Sequence, residues 1–250
     1  MRSFEELVTE AGSADITGWG FGWLNGRATE ERPPWGYSGQ LAQRLARAHA
    51  ALDIETGGGE VIDEAPRLPR LMAVTEAWPP NLLLAKARLE PRGVQVVQPA
   101  SDGLLPFPGA TFDLVTGRHP VNPPWAEIAR VLQPGGTYFA QHVGPRSAIE
   151  LIEFFRGPQP HAHAARAPEA ECQQAKAAGL TVIDLQAARC RMEFFDIGAV
   201  VWVLRKLPWW VPDFSVAAYE SQLRALDARI RAEGPFVAYS TRHLIEATRR

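Results

Sequence analysis

Three consecutive glycines, Gly57, Gly58 and Gly59, follow a short apolar run, Ala50 to Ile54, that carries one acid, Asp53. A turn without side chains lets a ligand approach the backbone, and N–H groups at the start of a following helix favour its anionic parts. A second acid, Glu76, ends the next apolar run, Leu71 to Thr75, 23 positions beyond Asp53. That is close to the roughly 20-residue spacing at which a carboxylate reaches a ribose diol. The chemistry on offer is therefore recognition of a nucleoside. A dinucleotide fingerprint requires glycine three positions after Gly59, where Ile62 stands, and a P-loop requires Gly-Lys-Ser/Thr, which is absent. What remains is a turn suited to an adenosyl ligand without phosphates.

Two histidines, His119 and His142, close later apolar runs. Either can take a proton from an acceptor, because histidine titrates near neutral pH, and either can equally be a hydrogen-bonded structural residue. Trp35 and Tyr37 offer aromatic faces to a sulfonium through cation–π attraction, or else pack in the core. Trp202, Trp209, Trp210 and Phe214 would suit an apolar lid over an acceptor, or packed helix faces. Asn122-Pro123-Pro124-Trp125 has the make-up of an amino-methyltransferase motif, but Asn122 stands nine positions after Asp113 where about five are expected. Helix capping by Asn122, with the prolines in the first turn, accounts for it better. His161 and His163 have no third ligand at metal-site spacing, and no metal is predicted.

The elements that must position these residues alternate. Ser38 is placed as the cap of a helix through Leu41 and Leu45, and Ala50–Ile54 and Leu71–Thr75 are strands. A helix over 81–89, strands at 94–97 and 112–116, and a helix through Ile128 and Val131 follow. Pro134-Gly135-Gly136 stops that helix before a strand at 137–142. Further on come a helix through Leu151 and Phe155, a linker near 161–170, a helix ending at Gly179, a strand at 180–185, helices at 197–207 and 219–230, and a last strand from Phe236 towards Ile245. Strands alternating with amphipathic helices imply a parallel sheet, so His119 and His142 fall at the edge where ligands gather in open α/β folds.

On these residues the chain resembles the class I S-adenosylmethionine-dependent methyltransferases, in particular the type 11-like group. The first motif stands here as Leu52-Asp53-Ile54-Glu55-Thr56-Gly57-Gly58-Gly59-Glu60, and Thr75-Glu76-Ala77, Leu105-Pro106-Phe107, Phe112-Asp113-Leu114-Val115 and Ala129 through Gly136 follow in the family's order. The resemblance implies a Rossmann-like α/β fold: a seven-stranded, mostly parallel sheet with helices on both faces and the last strand antiparallel. It implies S-adenosyl-L-methionine as cofactor, with Asp53 on its amino group, Thr56 to Gly59 as the close backbone, and Glu76, next to Ala77, on the ribose. Ser101 or Asp102 falls where the family's acid meets adenine. Glu55 replaces the family's first glycine. Its charge either opposes the methionine carboxylate, at about 4 kcal/mol for like charges 4 Å apart at an effective dielectric of 20, or helps the amino group.

A net charge of −2 and an apolar content of 46% describe an ordinary globular chain without a basic footprint for nucleic acid. With two distant cysteines and no apolar span near 20 residues, no disulfide, secretion or membrane span is expected, and a cytoplasmic setting fits. The expected organisation is a single domain over 1–250: a lead-in at 1–37, a cofactor-binding half at 38–144, and a C-terminal half from 145 with an acceptor-side insertion at 191–234. The expected activity is methyl transfer to a small-molecule acceptor. The alternatives are an RNA methyltransferase and a non-catalytic module whose cofactor affinity Glu55 has weakened.

Overall fold

A computed structural model describes residues 2–100, 103–161 and 166–250. In chain order the elements begin with α1 (Phe4–Ser13), β1 (Ala28–Glu30), α2 (Tyr37–Leu45), β2 (Ala50–Ile54), α3 (Glu60–Asp63), β3 (Leu71–Thr75), α4 (Pro79–Leu89) and β4 (Gln95–Val97). They continue with β5 (Phe112–Arg118), α5 (Trp125–Val131), β6 (Leu132–Val143), α6 (Ile149–Arg156) and α7 (Pro168–Ala177). The last are β7 (Leu180–Phe194), α8 (Ile197–Lys206), α9 (Glu220–Glu233) and β8 (Phe236–Arg249). Sheet order is β1-β7-β8-β6-β5-β2-β3-β4. The alternating α/β order and the parallel pairing of β2 with β3 and β5, β3 with β4 and β5 with β6 bear out the Rossmann-like expectation, as does the antiparallel last strand.

The strand count is eight, not seven. The extra strand, β1, lies in the stretch read as a lead-in loop and pairs antiparallel with Met192–Phe194. Three residues are too few to display a two-residue period, so the sequence carried no signal for it. β7 likewise runs on to Phe194, well past the expected end at Leu185, through a Gln-Ala-Ala-Arg stretch without apolar alternation. No helix among the described residues is long and apolar enough to cross a membrane.

The chain forms two compact units. One, comprising 33–145, 166–188 and 242–250, contains the glycine turn. All five residues of β2 are buried, as expected for a central parallel strand covered on both faces. On one face Ala51, Val74, Leu114 and Phe139 pack beneath Tyr37, Leu41 and Leu45 of α2; on the other Leu52, Ile54, Val115 and Tyr138 pack against Trp125 and Ile128 of α5. Burying each of the large side chains contributes about 1.5–3 kcal/mol. α2 begins two residues earlier than a Ser38 cap would dictate, because Gly36 at φ 60° turns the chain into it and no side chain caps it. Pro134-Gly135-Gly136 lies inside β6 rather than before it, at a register shift opposite Phe112 and Leu114. A Cβ at Gly136 would stand 2.9 Å from the Gln133 carbonyl, so only glycine fits this bulge.

The other unit, comprising 1–32, 146–165 and 189–241, packs α1, α6, α8 and α9 around Trp202, Leu204, Leu223 and Leu226. Here Trp202 is 2% exposed, stacks on Trp23 and donates its indole N–H to the Asp15 carbonyl. Trp210 and Phe214 pack against the same core, whereas Trp209 is exposed beside Trp19. Ser3 and Glu6 form a reciprocal cap on α1, a start signal of the Ser-x-x-Glu type.

α4 closes over the glycine turn, Arg88 donating to the Gly58 carbonyl and Leu89 packing on Gly59, where a Cβ, at φ 80°, would lie 2.7 Å from Leu89 Cδ1. Gly59→Ala is expected to lower unfolding stability by about 2–3 kcal/mol in urea titration, combining left-handed strain with overpacking. Adding Leu89→Ala should relieve the steric part, so the double variant will fall short of the sum of the two single losses.

Candidate functional site

The turn from Glu55 to Gly59 leaves β2 through three left-handed residues, Glu55 at φ 52°, Gly57 at 65° and Gly59 at 80°. Its hydrogen bonds tie it to β3: Thr56 N–H donates to the Thr75 carbonyl at 2.9 Å, and Gly59 N–H returns to the Thr56 carbonyl. Glu76 then faces the turn. One carboxylate oxygen accepts from Gly57 N–H and the other from Trp78 N–H, each at 2.8 Å. Ala77 joins Glu76 to α4, its carbonyl taking an N–H from Gln98.

Asp53 is buried on the α2 side of the sheet, with one oxygen accepting from Thr116 Oγ1 at 2.6 Å. Burial raises its carboxyl to about 6, against the opposing pull of the Thr116 hydrogen bond. Burial also raises Glu55 and Glu76, and the charge of Glu55 pushes Glu76 further in the same direction. The Glu55 carboxylate is turned towards the loop after β5, where it accepts from the backbone N–H groups of Val121, at 2.8 Å, and Asn122. Asn122 makes no capping bond to α5.

Trp35 and Tyr37 are both buried. Tyr37 stacks on Phe139 and donates its hydroxyl to the Gly117 carbonyl, while the Trp35 indole donates to Gln141 Oε1 at 2.8 Å. An indole N–H can only donate, so the Gln141 amide nitrogen must face His119 Nε2, at 2.9 Å. That bond uses the Nε2 lone pair and leaves the proton on Nδ1. Burial holds His119 well below the usual histidine range, so the neutral ring presents an N–H donor and no free base.

His142 is directed to the other face of β6, under α5 and α7. Its Nε2 meets the Tyr138 hydroxyl at 2.9 Å and its Nδ1 meets Glu171 Oε2 at 2.5 Å. The same carboxylate oxygen meets His243 Nε2 at 2.8 Å. Burial raises the Tyr138 phenol, so its proton stays in place and is donated to His142. Neither His119 nor His142 thus has a lone pair to spare for an acceptor proton. Glu171 and His243 escaped the sequence reading because 142, 171 and 243 share no motif; β6, α7 and β8 bring them together. Ser101 and Asp102, and His163 of the HxH pair, lie outside the described residues, and His161 is exposed.

The elevated Asp53 carboxyl has a stability consequence. Its folded value, about 6, lies above the unfolded reference of 3.8, so the folded state holds the proton more tightly. Its stability is then full below pH 4 and declines as pH rises to about 6, by up to about 3 kcal/mol, since each tenfold change in proton affinity is worth about 1.4 kcal/mol. Asp53→Asn should therefore stabilise the protein by about 1–3 kcal/mol in urea unfolding at pH 8, with the gain vanishing below pH 4.

Residues 52–140 match the family model for a methyltransferase domain. No curated protein matches the chain significantly. Among solved structures, the YcgJ protein of Bacillus subtilis is similar at 20% identity and a TM-score of 0.60, covering 86% of this chain and 98% of that one. A functionally unknown protein of Deinococcus radiodurans R1 is similar at 16% identity and a TM-score of 0.59, covering 99% of each chain. Phosphoethanolamine N-methyltransferase 2 of Haemonchus contortus, in complex with phosphomonomethylethanolamine and S-adenosylhomocysteine, is similar at 16% identity and a TM-score of 0.53 over 100% of this chain and 60% of that one. The segment that matches the methyltransferase-domain model runs from the strand before the glycine turn to the middle of β6, and takes in the turn, Asp53 and Glu76.

Proposed function

We propose that the glycine turn and its three acids hold S-adenosylmethionine for methyl transfer to a small-molecule acceptor in the cytoplasm. The observation that carries this reading is the orientation of Glu76 on the Gly57 N–H, beside the buried Asp53, at the ends of adjacent parallel strands. The turn fits such a ligand by its bareness, and at Gly59, left-handed at φ 80° with its Cβ position 2.7 Å from Leu89 Cδ1, side chains are excluded for the protein's own reasons as well. Bound, the cofactor supplies an electrophilic methyl group on a sulfonium that leaves as a neutral thioether.

Each protein group then has a defined part. Asp53 pairs with the methionine ammonium, Glu76 takes the ribose hydroxyls on the lone pairs its backbone bonds leave free, and the Thr56–Gly59 backbone lies against the ligand. Glu55, engaged with Val121 and Asn122, holds the β5 loop to the turn and adds negative potential favourable to a net cation. Trp35 and Tyr37 fix the ends of β6 and β5 from beneath. With no free base on His119 or His142, positioning carries the rate, and the acceptor is one that reaches the site already nucleophilic. The acidic balance of the chain favours a small acceptor over RNA, and the acceptor held in the Haemonchus contortus complex is likewise small.

Titration calorimetry with S-adenosylmethionine checks this. Affinity should rise with pH between 5 and 7, as Asp53, raised to about 6, ionises, and then level off. Glu76→Ala is expected to weaken binding about 10–100-fold, in line with loss of charge-assisted hydrogen bonds worth roughly 1.5–3 kcal/mol. Undiminished affinity in Glu76→Ala would remove the proposed site, and a salt-sensitive complex with RNA would favour the nucleic-acid acceptor.

A further inference from the structure

His142, Glu171 and His243 are the only group of three His, Cys, Asp or Glu residues among those described whose ligand atoms converge, all lying within 4.8 Å of one another. Each sits on a different element. His142 is the penultimate residue of β6, His243 is its cross-strand partner on β8, and Glu171 projects from the first turn of α7. The surroundings are apolar, with Trp125, Ala175 and Leu180 in the same layer. All three are buried, and only Glu171, at 8%, keeps appreciable exposure. A carboxylate and two imidazoles in such a layer are costly unless something binds them together.

The protein's own hydrogen bonds leave this cluster incomplete. Tyr138 satisfies His142, and Glu171 Oε2 receives both rings, but His243 Nδ1 is sealed from solvent without any partner. His243 Nε2, the nitrogen that faces the Glu171 oxygen, is the one placed to meet an ion there, and Nδ1 makes no hydrogen bond that would hold the ring against adjustment. A ring with one uncommitted nitrogen can also turn about its Cβ–Cγ bond and offer whichever nitrogen an ion requires.

We propose that His142, Glu171 and His243 form a binding site for one divalent transition-metal ion of the zinc class. Two imidazole nitrogens and one carboxylate oxygen are the three-ligand set that zinc accepts with a fourth position left to water. Magnesium and calcium prefer all-oxygen cages, which this is not. Ion–ligand bonds of about 2.0–2.2 Å in tetrahedral array put the ligand atoms roughly 3.3 Å apart. The Glu171 oxygen now lies 2.5 and 2.8 Å from the two rings. Its side chain therefore needs to retreat by about 0.8 Å from one ring and about 0.5 Å from the other to admit the ion. With Nδ1 of His142 on the metal, its Nε2 carries the proton and donates to the Tyr138 oxygen, the outer hydrogen bond that orients metal-bound histidines. The site lies on the opposite face of the sheet from Asp53 and stands independently of the cofactor assignment.

The test uses the full-length protein stripped with chelator and reloaded with Zn2+ or Co2+. One equivalent per chain is expected, with visible d–d absorption for Co2+ that Zn2+ displaces. Glu171→Gln and His243→Ala should each weaken Zn2+ binding at least about 10-fold, whereas His49→Ala, at an exposed position, should not. X-ray absorption on the Zn2+-loaded wild type needs no variant, and should show two imidazoles on the ion. Failure of the folded protein to take up an equivalent of either ion, an unchanged Co2+ spectrum in both variants, or an absorption shell without two imidazoles would each overturn the proposal.

Discussion

Negative charge kept at the carboxyl edge of the sheet, away from water, is the condition on which the site depends. Asp53, Glu55 and Glu76 all surround one turn, and burial makes ionisation of each harder. Glu76 survives there because two backbone N–H groups reach it, one from the turn and one from the start of α4. The bond from the turn comes from Gly57, left-handed at φ 65° and without a side chain. A bare turn thus holds the acid directly on its backbone, where the charge of Glu55 opposes it.

Much of this was legible in the chain. The run from Leu52 through Gly59, with Glu76 behind it, encodes strand, turn and acid contiguously, and local spacing suffices to read it. The parallel order of β2 to β6 followed from alternating periods for the same reason. What escaped was non-local. β1 is three residues long and is defined by its partner in β7, not by any pattern of its own. Glu171 sits in a helix whose sequence, Pro-Glu-Ala-Glu-Cys-Gln-Gln, looks like a solvated face, and only its packing under β6 and β8 reveals which of its acids is buried.

Glu55 shows how a motif can change without loss of geometry. The turn needs a left-handed residue there, which costs a non-glycine side chain about 1 kcal/mol. The carboxylate compensates through its bonds to the Val121 and Asn122 N–H groups, joining two segments that glycine would leave untied. Position 55 is thereby a structural tie as well as a charge.

The pairing of His142 with His243 across β6 and β8 bears also on how the chain's last strand finds its place. A slip of one residue would carry His243 to the opposite face and set Arg242 or Leu244 in its stead, stranding the Glu171 carboxylate in an apolar layer with one imidazole too few. Apolar alternation alone penalises such an error modestly. A carboxylate that two imidazoles meet in the native alignment, and that a one-residue slip would leave with a single one, sharpens the final strand's docking beyond what apolar alternation does.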